Sequence, residues 1–141
     1  MPGASRSIVI GAPIETVFGI ITDYEKYPQF LSEVKAIRVS DRKVGEALVH
    51  YEVNLLKTIR YTLKLKEEKP SRVSWSLVEG ELMRENRGSW LLEPQGNQTR
   101  ATYSIEVTLG PLVPKAMVNV LVDSSLPKML EAFKKRAEAK G

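Results

Sequence analysis

From Val34 to Leu109 the chain places apolar side chains at every second position. Ala47, Val49, Tyr51, Val53 and Leu55 alternate with Leu48, His50, Glu52 and Asn54; Ile59, Tyr61, Leu63 and Leu65 alternate with Arg60, Thr62, Lys64 and Lys66. A period of two puts each set on one face of a strand, so these segments predict strands with one dry face. Turn residues at Lys43-Val44-Gly45, Lys57-Thr58, Pro70-Ser71 and Pro94-Gln95-Gly96-Asn97 divide the stretch. The pattern continues through Val73, Trp75 and Leu77, then Gly88, Trp90 and Leu92, and ends on Ala101, Tyr103, Ile105, Val107 and Leu109. With Arg6 to Ile10 ahead of them, this makes roughly seven strands, six of them consecutive. Connections this short leave no crossover helices, which predicts an antiparallel meander.

The two ends of the chain read as helical. Pro13 suits a first helical position, Glu15 the first turn, and Ile14, Val17, Phe18 and Ile21 share a face, predicting a helix over Pro13 to Asp23. A second short helix is expected from Tyr27 to Leu31, entered through Tyr24-Glu25-Lys26. From Pro111 to Lys140 the spacing of Val113, Met117, Val120, Leu121, Met129, Leu130 and Phe133 predicts one long amphipathic helix. Pro127 removes an intrahelical hydrogen bond and is expected to kink that helix near Asp123-Ser124-Ser125. A twisted antiparallel sheet curls, and its concave apolar face can receive the long helix while the helical pair plugs one end. The expectation is an α+β helix-grip fold, with residues 1–141 forming a single domain.

Ala12-Pro13-Ile14-Glu15-Thr16-Val17-Phe18, followed by Asp23-Tyr24-Glu25-Lys26-Tyr27-Pro28-Gln29-Phe30-Leu31, resembles the START-like superfamily, also called SRPBCC or Bet v 1-like. Ser89-Trp90 with Glu93-Pro94 in a late strand, and the closing helix, extend the likeness over nearly the whole chain. The polyketide cyclase/dehydrase and coenzyme-Q-binding group is the most similar in pattern. Ser32-Glu33-Val34 stands where that group usually carries a proline, an aromatic residue and a cysteine. The resemblance implies a deep apolar cavity between sheet and helix, of the kind used across the superfamily for lipids, quinones, hormones and polyketides.

Composition narrows the chemistry. With no cysteine there is no disulfide scaffold, thiol nucleophile or thiolate metal site, and a reducing compartment is the simple expectation. No apolar run approaches the roughly eighteen residues of a membrane span, and the amino terminus lacks a signal-peptide layout, so a cytoplasmic protein is expected. The net charge of +4 arises from 21 basic and 17 acidic residues interleaved along the chain, not the clustered basic face of a nucleic-acid binder, so no nucleic acid partner is expected. Lys134-Lys135-Arg136 is a local exception that reads as a solvated helix end. It is also the feature on which a ribosome-associating or other protein-interaction module would rest.

If the apolar alternates face the helix, Tyr51, Tyr61, Trp75, Trp90 and Tyr103 line the cavity, together with Val49, Val53, Ile59, Leu63, Val73, Leu77, Leu92, Ile105 and Val107. Met117, Val120 and Leu121 are expected to complete it from the helix. Parity adds Asn86 and Arg84, the latter as a guanidinium at the mouth that would orient a carbonyl or acidic head group. Filling a solid core is the competing reading of these apolar positions, because periodicity does not separate a filled core from a hollow one. The tyrosine hydroxyls and indole N–H groups suit a large apolar ligand carrying one or two oxygens.

Enzymatic chemistry has little to stand on. His50, Glu52 and Glu106 have the parity of the outer face, and no metal-ligand cluster, glycine-rich phosphate loop or nucleophile motif is present. Neither a catalytic residue nor a cofactor is expected. The leading expectation is a binding or transport protein for a lipid, quinone or aromatic polyketide-like molecule. A polyketide cyclase or dehydratase working by folding a reactive chain against tyrosines and Arg84 is the alternative. The segment Glu79 to Asn86 reads as a lid or, more simply, a bulged surface loop. Leu55-Leu56 and Leu112-Val113, with Lys57 and Lys115 beside them, are places for transient membrane or partner contact, against which stands ordinary packing under the helical cap.

Overall fold

The computed structural model describes residues 3–55, 57–111, 113–119 and 124–140. Seven strands form a single antiparallel sheet in the order β1-β7-β6-β5-β4-β3-β2. These are β1 (Gly3–Ile10), β2 (Val34–Lys43), β3 (Glu46–Leu55), β4 (Lys57–Glu68), β5 (Arg72–Gly80), β6 (Met83–Gln95) and β7 (Gln98–Leu109). β2 to β7 follow one another as a meander, and β1 lies against β7 with Ile10 opposite Thr99 and Gly3 opposite Glu106. The helices are α1 (Ile14–Thr22), a 3-10 helix over Tyr24–Gln29, α2 (Lys115–Asn119) and α3 (Leu126–Lys140). Together they give the α+β helix-grip arrangement, with a curved sheet facing the C-terminal helix.

One end of the concave face is packed solid. Ile10, Val49, Val73 and Ala101 have no accessible surface, and the α1 residues Val17, Phe18 and Ile21 and the α3 residues Leu130, Phe133 and Ala137 are buried in the same cluster. Polar anchors hold this end. Thr99 Oγ1 donates to the Ala12 carbonyl at 2.8 Å, Tyr24 donates to Glu67 Oε2 at 2.6 Å, and Arg42 pairs with the same carboxylate oxygen at 3.3 Å. Glu138 accepts the Gly11 amide at 2.7 Å and pairs with Lys134, which also donates to the Val9 carbonyl, so α3 is tied to the end of β1.

Several boundaries differ from the pattern. β1 starts at Gly3 rather than Arg6, because Ser5 and Ser7 face outward and bond hydroxyl to hydroxyl with Ser104 and Thr102, which hides the strand from a search for apolar alternation. The second helix begins at Tyr24, three residues before the expected Tyr27, and is a 3-10 helix with Pro28 inside it. The segment Glu79 to Asn86 is mostly strand. β5 runs to Gly80, a bend at Glu81-Leu82 with Leu82 at φ 57° follows, and β6 starts at Met83 with a register shift between Met83 and Glu85. Pro127 is the second residue of α3 and follows Ser124-Ser125, which are π-helical. The continuity of α2 with α3, and any kink there, turns on positions 120–123, which lie outside the described residues.

Cross-strand pairing is uneven at the open end. β5 and β6 pair only from Arg72 opposite Leu91 to Ser76 opposite Arg87. Beyond that point Leu77–Gly80 pair with β4 and Met83–Asn86 with β7, but not with each other.

Candidate ligand-binding cavity

Away from the packed end, the space between sheet and α3 is hollow, with a cavity of about 220 Å³. Its wall is built from neighbouring strands. Tyr51 on β3 and Tyr61 on β4 are directly opposite one another, and their rings stack at 5.0 Å with 13° between planes. Trp75 on β5, Trp90 on β6 and Tyr103 on β7 continue the aromatic wall; Tyr103 lies 5.3 Å from Trp75 and 4.9 Å from Trp90. Phe133 of α3 closes over Trp90 at 5.2 Å and also meets Tyr27 and Phe30 edge to face. Edge-to-face and offset contacts of this kind satisfy the ring quadrupoles.

The polar groups on this wall fall into two sets. Trp75 Nε1–H donates to Asn86 Oδ1 at 3.1 Å, and the Asn86 amide nitrogen faces Met83 Sδ at 3.7 Å, so Asn86, 5% exposed, is occupied structurally. Tyr27 is likewise committed, donating to the Ile21 carbonyl. The hydroxyls of Tyr51, Tyr61 and Tyr103, by contrast, have no hydrogen-bond partner among the described residues. Burial pushes all three phenols above their ordinary range, Tyr61 with a further push from Glu33 and Tyr103 with one from Tyr61. They are therefore neutral donors at any physiological pH and not phenolate bases.

The exposed members of the lining, Ser32 and Lys128, mark the mouth, with half-buried Glu33 between the 3-10 helix and β2. Glu33 Oε2 accepts from Ser125 Oγ at 2.7 Å, and the Glu33 backbone carbonyl accepts the Asn54 amide at 2.8 Å.

Twelve of the expected lining residues come together here: Tyr51, Val53, Ile59, Tyr61, Leu63, Val73, Trp75, Asn86, Trp90, Tyr103, Ile105 and Val107. Arg84 does not. The bulge between Met83 and Glu85 inserts one residue, so Met83 takes the inward position that simple parity assigned to Arg84, which is exposed and outside the lining. Val49 and Leu92 belong to the packed end, and Leu77 packs against the core without lining the cavity. The Met117 side chain and residues Val120 and Leu121 lie outside the described residues, as do Leu56, Leu112 and the Leu55 side chain. α3 contributes Leu126, Met129, Ala132 and Phe133 to the lining instead. Val113 packs against the buried Val53–Ile59 pair.

Sequence reasoning missed Glu33 as part of the lining. A carboxylate in a three-residue corner has no periodic signal, although its position directly after the helical pair that plugs the sheet was the available clue. On the outer face, His50 bridges Ser40 Oγ at 2.7 Å and Thr62 Oγ1 at 2.9 Å, while Glu52 pairs with Lys35 and Arg60 and Glu106 with Arg87. In the basic tail, Lys134 is tied to Glu138, and Arg136 donates to Gln29 Oε1 at 2.6 Å and lies over the Phe30 ring.

The sequence matches the family described as polyketide cyclase / dehydrase and lipid transport over residues 10–134. The chain belongs to this family, and its fold is START-like. Among solved structures, a START superfamily protein from Mycobacterium smegmatis superposes with a TM-score of 0.86 at 20% identity, covering 99% of both chains. A protein from Thermus thermophilus gives 0.88 at 20% identity, again over 99% of each chain. The Zhui aromatase/cyclase from Streptomyces sp. R1128 gives 0.89 at 13% identity, over 99% of this chain and 94% of the other. Identities this low establish a shared fold and nothing finer. No curated protein matches the sequence. No helix among the described residues is long and apolar enough to cross a membrane.

Proposed function

We propose that this protein binds and carries one hydrophobic small molecule in the cavity between sheet and α3, in the cytoplasm and without a cofactor. The observation that carries the reading is the set of three neutral phenol hydroxyls, on Tyr51, Tyr61 and Tyr103, that line an apolar cavity with no partner among the described residues. A hydroxyl that faces an apolar cavity is satisfied when a ligand carbonyl or hydroxyl oxygen supplies the partner. The family's lipid-transport branch is consistent with this use. Native mass spectrometry of the purified protein, with organic extraction, tests it. A discrete apolar adduct, or uptake from a panel of quinones, lipids and aromatic ketones that is weakened by Trp75→Ala and Tyr103→Ala, supports the carrier. No adduct and no uptake by the folded wild type overturns it.

A polyketide cyclase-type activity is the second reading, favoured by Glu33, a carboxylate in the lining, and by the likeness to the Zhui aromatase/cyclase. Here Glu33 would serve as the base and the tyrosines would bind the developing enolate oxygen. Cyclisation of a poly-β-ketone that survives loss of Glu33 together with all three hydroxyls would rule this mechanism out.

A further inference from the structure

The outer face of the sheet carries a second arrangement, which the cavity does not use. Arg38, His50, Thr62 and Glu79 stand opposite one another across β2, β3, β4 and β5, and with Glu52 and Arg60 they border an open groove of about 590 Å³. His50 is held between two hydroxyls, with Thr62 Oγ1 at 2.9 Å from Nδ1 and Ser40 Oγ at 2.7 Å from Nε2. The two hydroxyls are not equivalent. Thr62 is 6% exposed, whereas Ser40 is half-buried on the edge strand β2. In the tautomer whose Nδ1–H donates to Thr62, Nε2 has a lone pair to accept the Ser40 hydroxyl proton. That is the relation between nucleophile, base and orienting group on which acyl transfer rests.

Two neighbouring features suit this chemistry. Arg38 lies two residues before Ser40 on the same face and directly opposite His50. It is exposed and holds no ion pair among the described residues, so its guanidinium is available to an oxyanion forming at a carbonyl attacked by Ser40. Asp41, the residue after Ser40, has φ 47°, and Asp41 and Arg42 have no partner in the β2–β3 register, so the backbone turns directly behind the serine. We propose that Ser40, His50 and Thr62 form an acyl-transfer site on the outer face, with short-chain esters or thioesters as substrates. Ser40 Oγ attacks the carbonyl carbon and passes its proton to His50 Nε2. His50 returns that proton to the departing alcohol or thiol as its bond to the carbonyl breaks. Water, deprotonated by the same nitrogen, then releases the carboxylic acid from Ser40. The groove presents mainly charged side chains, unlike the apolar lining of the cavity, which sets long acyl chains aside. This site stands or falls independently of the carrier reading.

The test incubates the wild-type protein with p-nitrophenyl acetate near neutral pH, follows nitrophenol release, and locates the acetyl group by peptide mass mapping. Acetyl on Ser40, with release faster than free imidazole gives at the same concentration, is the expected result. Ser40→Ala should abolish that labelling, and His50→Gln should slow it about a hundredfold or more, the usual contribution of a general base. Arg38→Leu should lower kcat more than it changes KM. Thr62 acts through His50, so Thr62→Val should slow labelling several-fold while Thr62→Ser, which keeps the hydroxyl, should not. Melting temperatures confirm that each variant is folded. Acetyl groups confined to other residues, release no faster than that of free imidazole, or a rate unchanged in Ser40→Ala overturns the proposal. The mapping is read on the wild type, so a variant that fails to fold does not spare it.

Discussion

Trp75 and Gly88 stand directly opposite one another across β5 and β6, and the indole lies over the glycine so closely that a Cβ there would be 2.7 Å from Trp75 Cζ2. The same Cβ would be 2.3 Å from the Ser104 carbonyl oxygen. The glycine thus makes room for the ring that reaches on to Asn86 and Tyr103, a cross-strand aromatic covering of a bare backbone position. Gly88→Ala forces both the ring and the backbone to shift. It should cost about 1–3 kcal/mol, the usual range for overpacking, and change Trp75 fluorescence. Urea unfolding followed by tryptophan emission measures both, and a variant with wild-type stability and emission would show that the ring does not depend on this gap.

The cavity hydroxyls behave differently from the Trp75 N–H because they have nothing to lose within the protein. Tyr51→Phe, Tyr61→Phe and Tyr103→Phe should each leave the denaturation midpoint nearly unchanged, since no hydrogen bond to a described residue is lost and the hydroxyls face the cavity. Affinity for an aryl ketone should fall by roughly threefold to tenfold for the hydroxyl that contacts the carbonyl, the effect of one net hydrogen bond. Stability and calorimetric affinity measured on the same three variants separate the two effects. A clear stability loss in all three would mean that the hydroxyls serve the fold.

All five tyrosines have phenols held above the ordinary range, burial being the largest cause for each. For a group whose folded pKa is raised, the stabilising contribution is complete below the unfolded value of about 10 and is lost as pH rises through the folded value. Ultraviolet titration of the native protein should therefore show no phenolate step near pH 10, with ionisation arriving together with alkaline unfolding. A simple step of even one tyrosine near pH 10 in folded protein would contradict the burial described above.

Glu138 gives the opposite sign. Its pKa is lowered first by the hydrogen bond from Lys134, then by the Gly11 amide and the Lys134 charge, so its contribution is present above the unfolded value of about 4.3 and is lost as pH falls through the folded one. Glu138→Gln should lower the urea midpoint near neutral pH and flatten its decline between about pH 5 and pH 3 relative to wild type. Parallel declines in the two proteins would show that this tie between α3 and β1 contributes nothing.

The meander was legible because each strand buries one face only, and a two-residue period survives wherever the polar face is charged, as in Arg60, Lys64 and Lys66. The same logic shortened β1, whose outward serines pair by hydroxyl and have a small, ambiguous polarity. Parity is a running count, and the single residue inserted at Met83–Glu85 reversed it, which moved Arg84 from the mouth to the surface. Glu33 carried no pattern at all, being fixed by the corner between the 3-10 helix and β2. Alternation also identifies which face is dry without telling whether the opposing surface reaches it. Here α1 and the C-terminal half of α3 share one buried cluster with Val49 and Val73, while a cavity lies against Tyr51 and Tyr61.

The early end of the β5–β6 ladder at Ser76 and Arg87 makes the sheet mechanically anisotropic. Elsewhere it can widen only by breaking backbone hydrogen bonds, but along Leu77–Gly80 and Met83–Asn86 the two strands can splay at no such cost, restrained by the Trp75–Asn86 hydrogen bond and the Trp75–Tyr103 contact. The compliance of the wall is thus concentrated in one seam whose hinge is Trp75 over Gly88. A guest slightly too large would be accommodated by swelling in that direction alone, with the stacked Tyr51–Tyr61 side staying stiff.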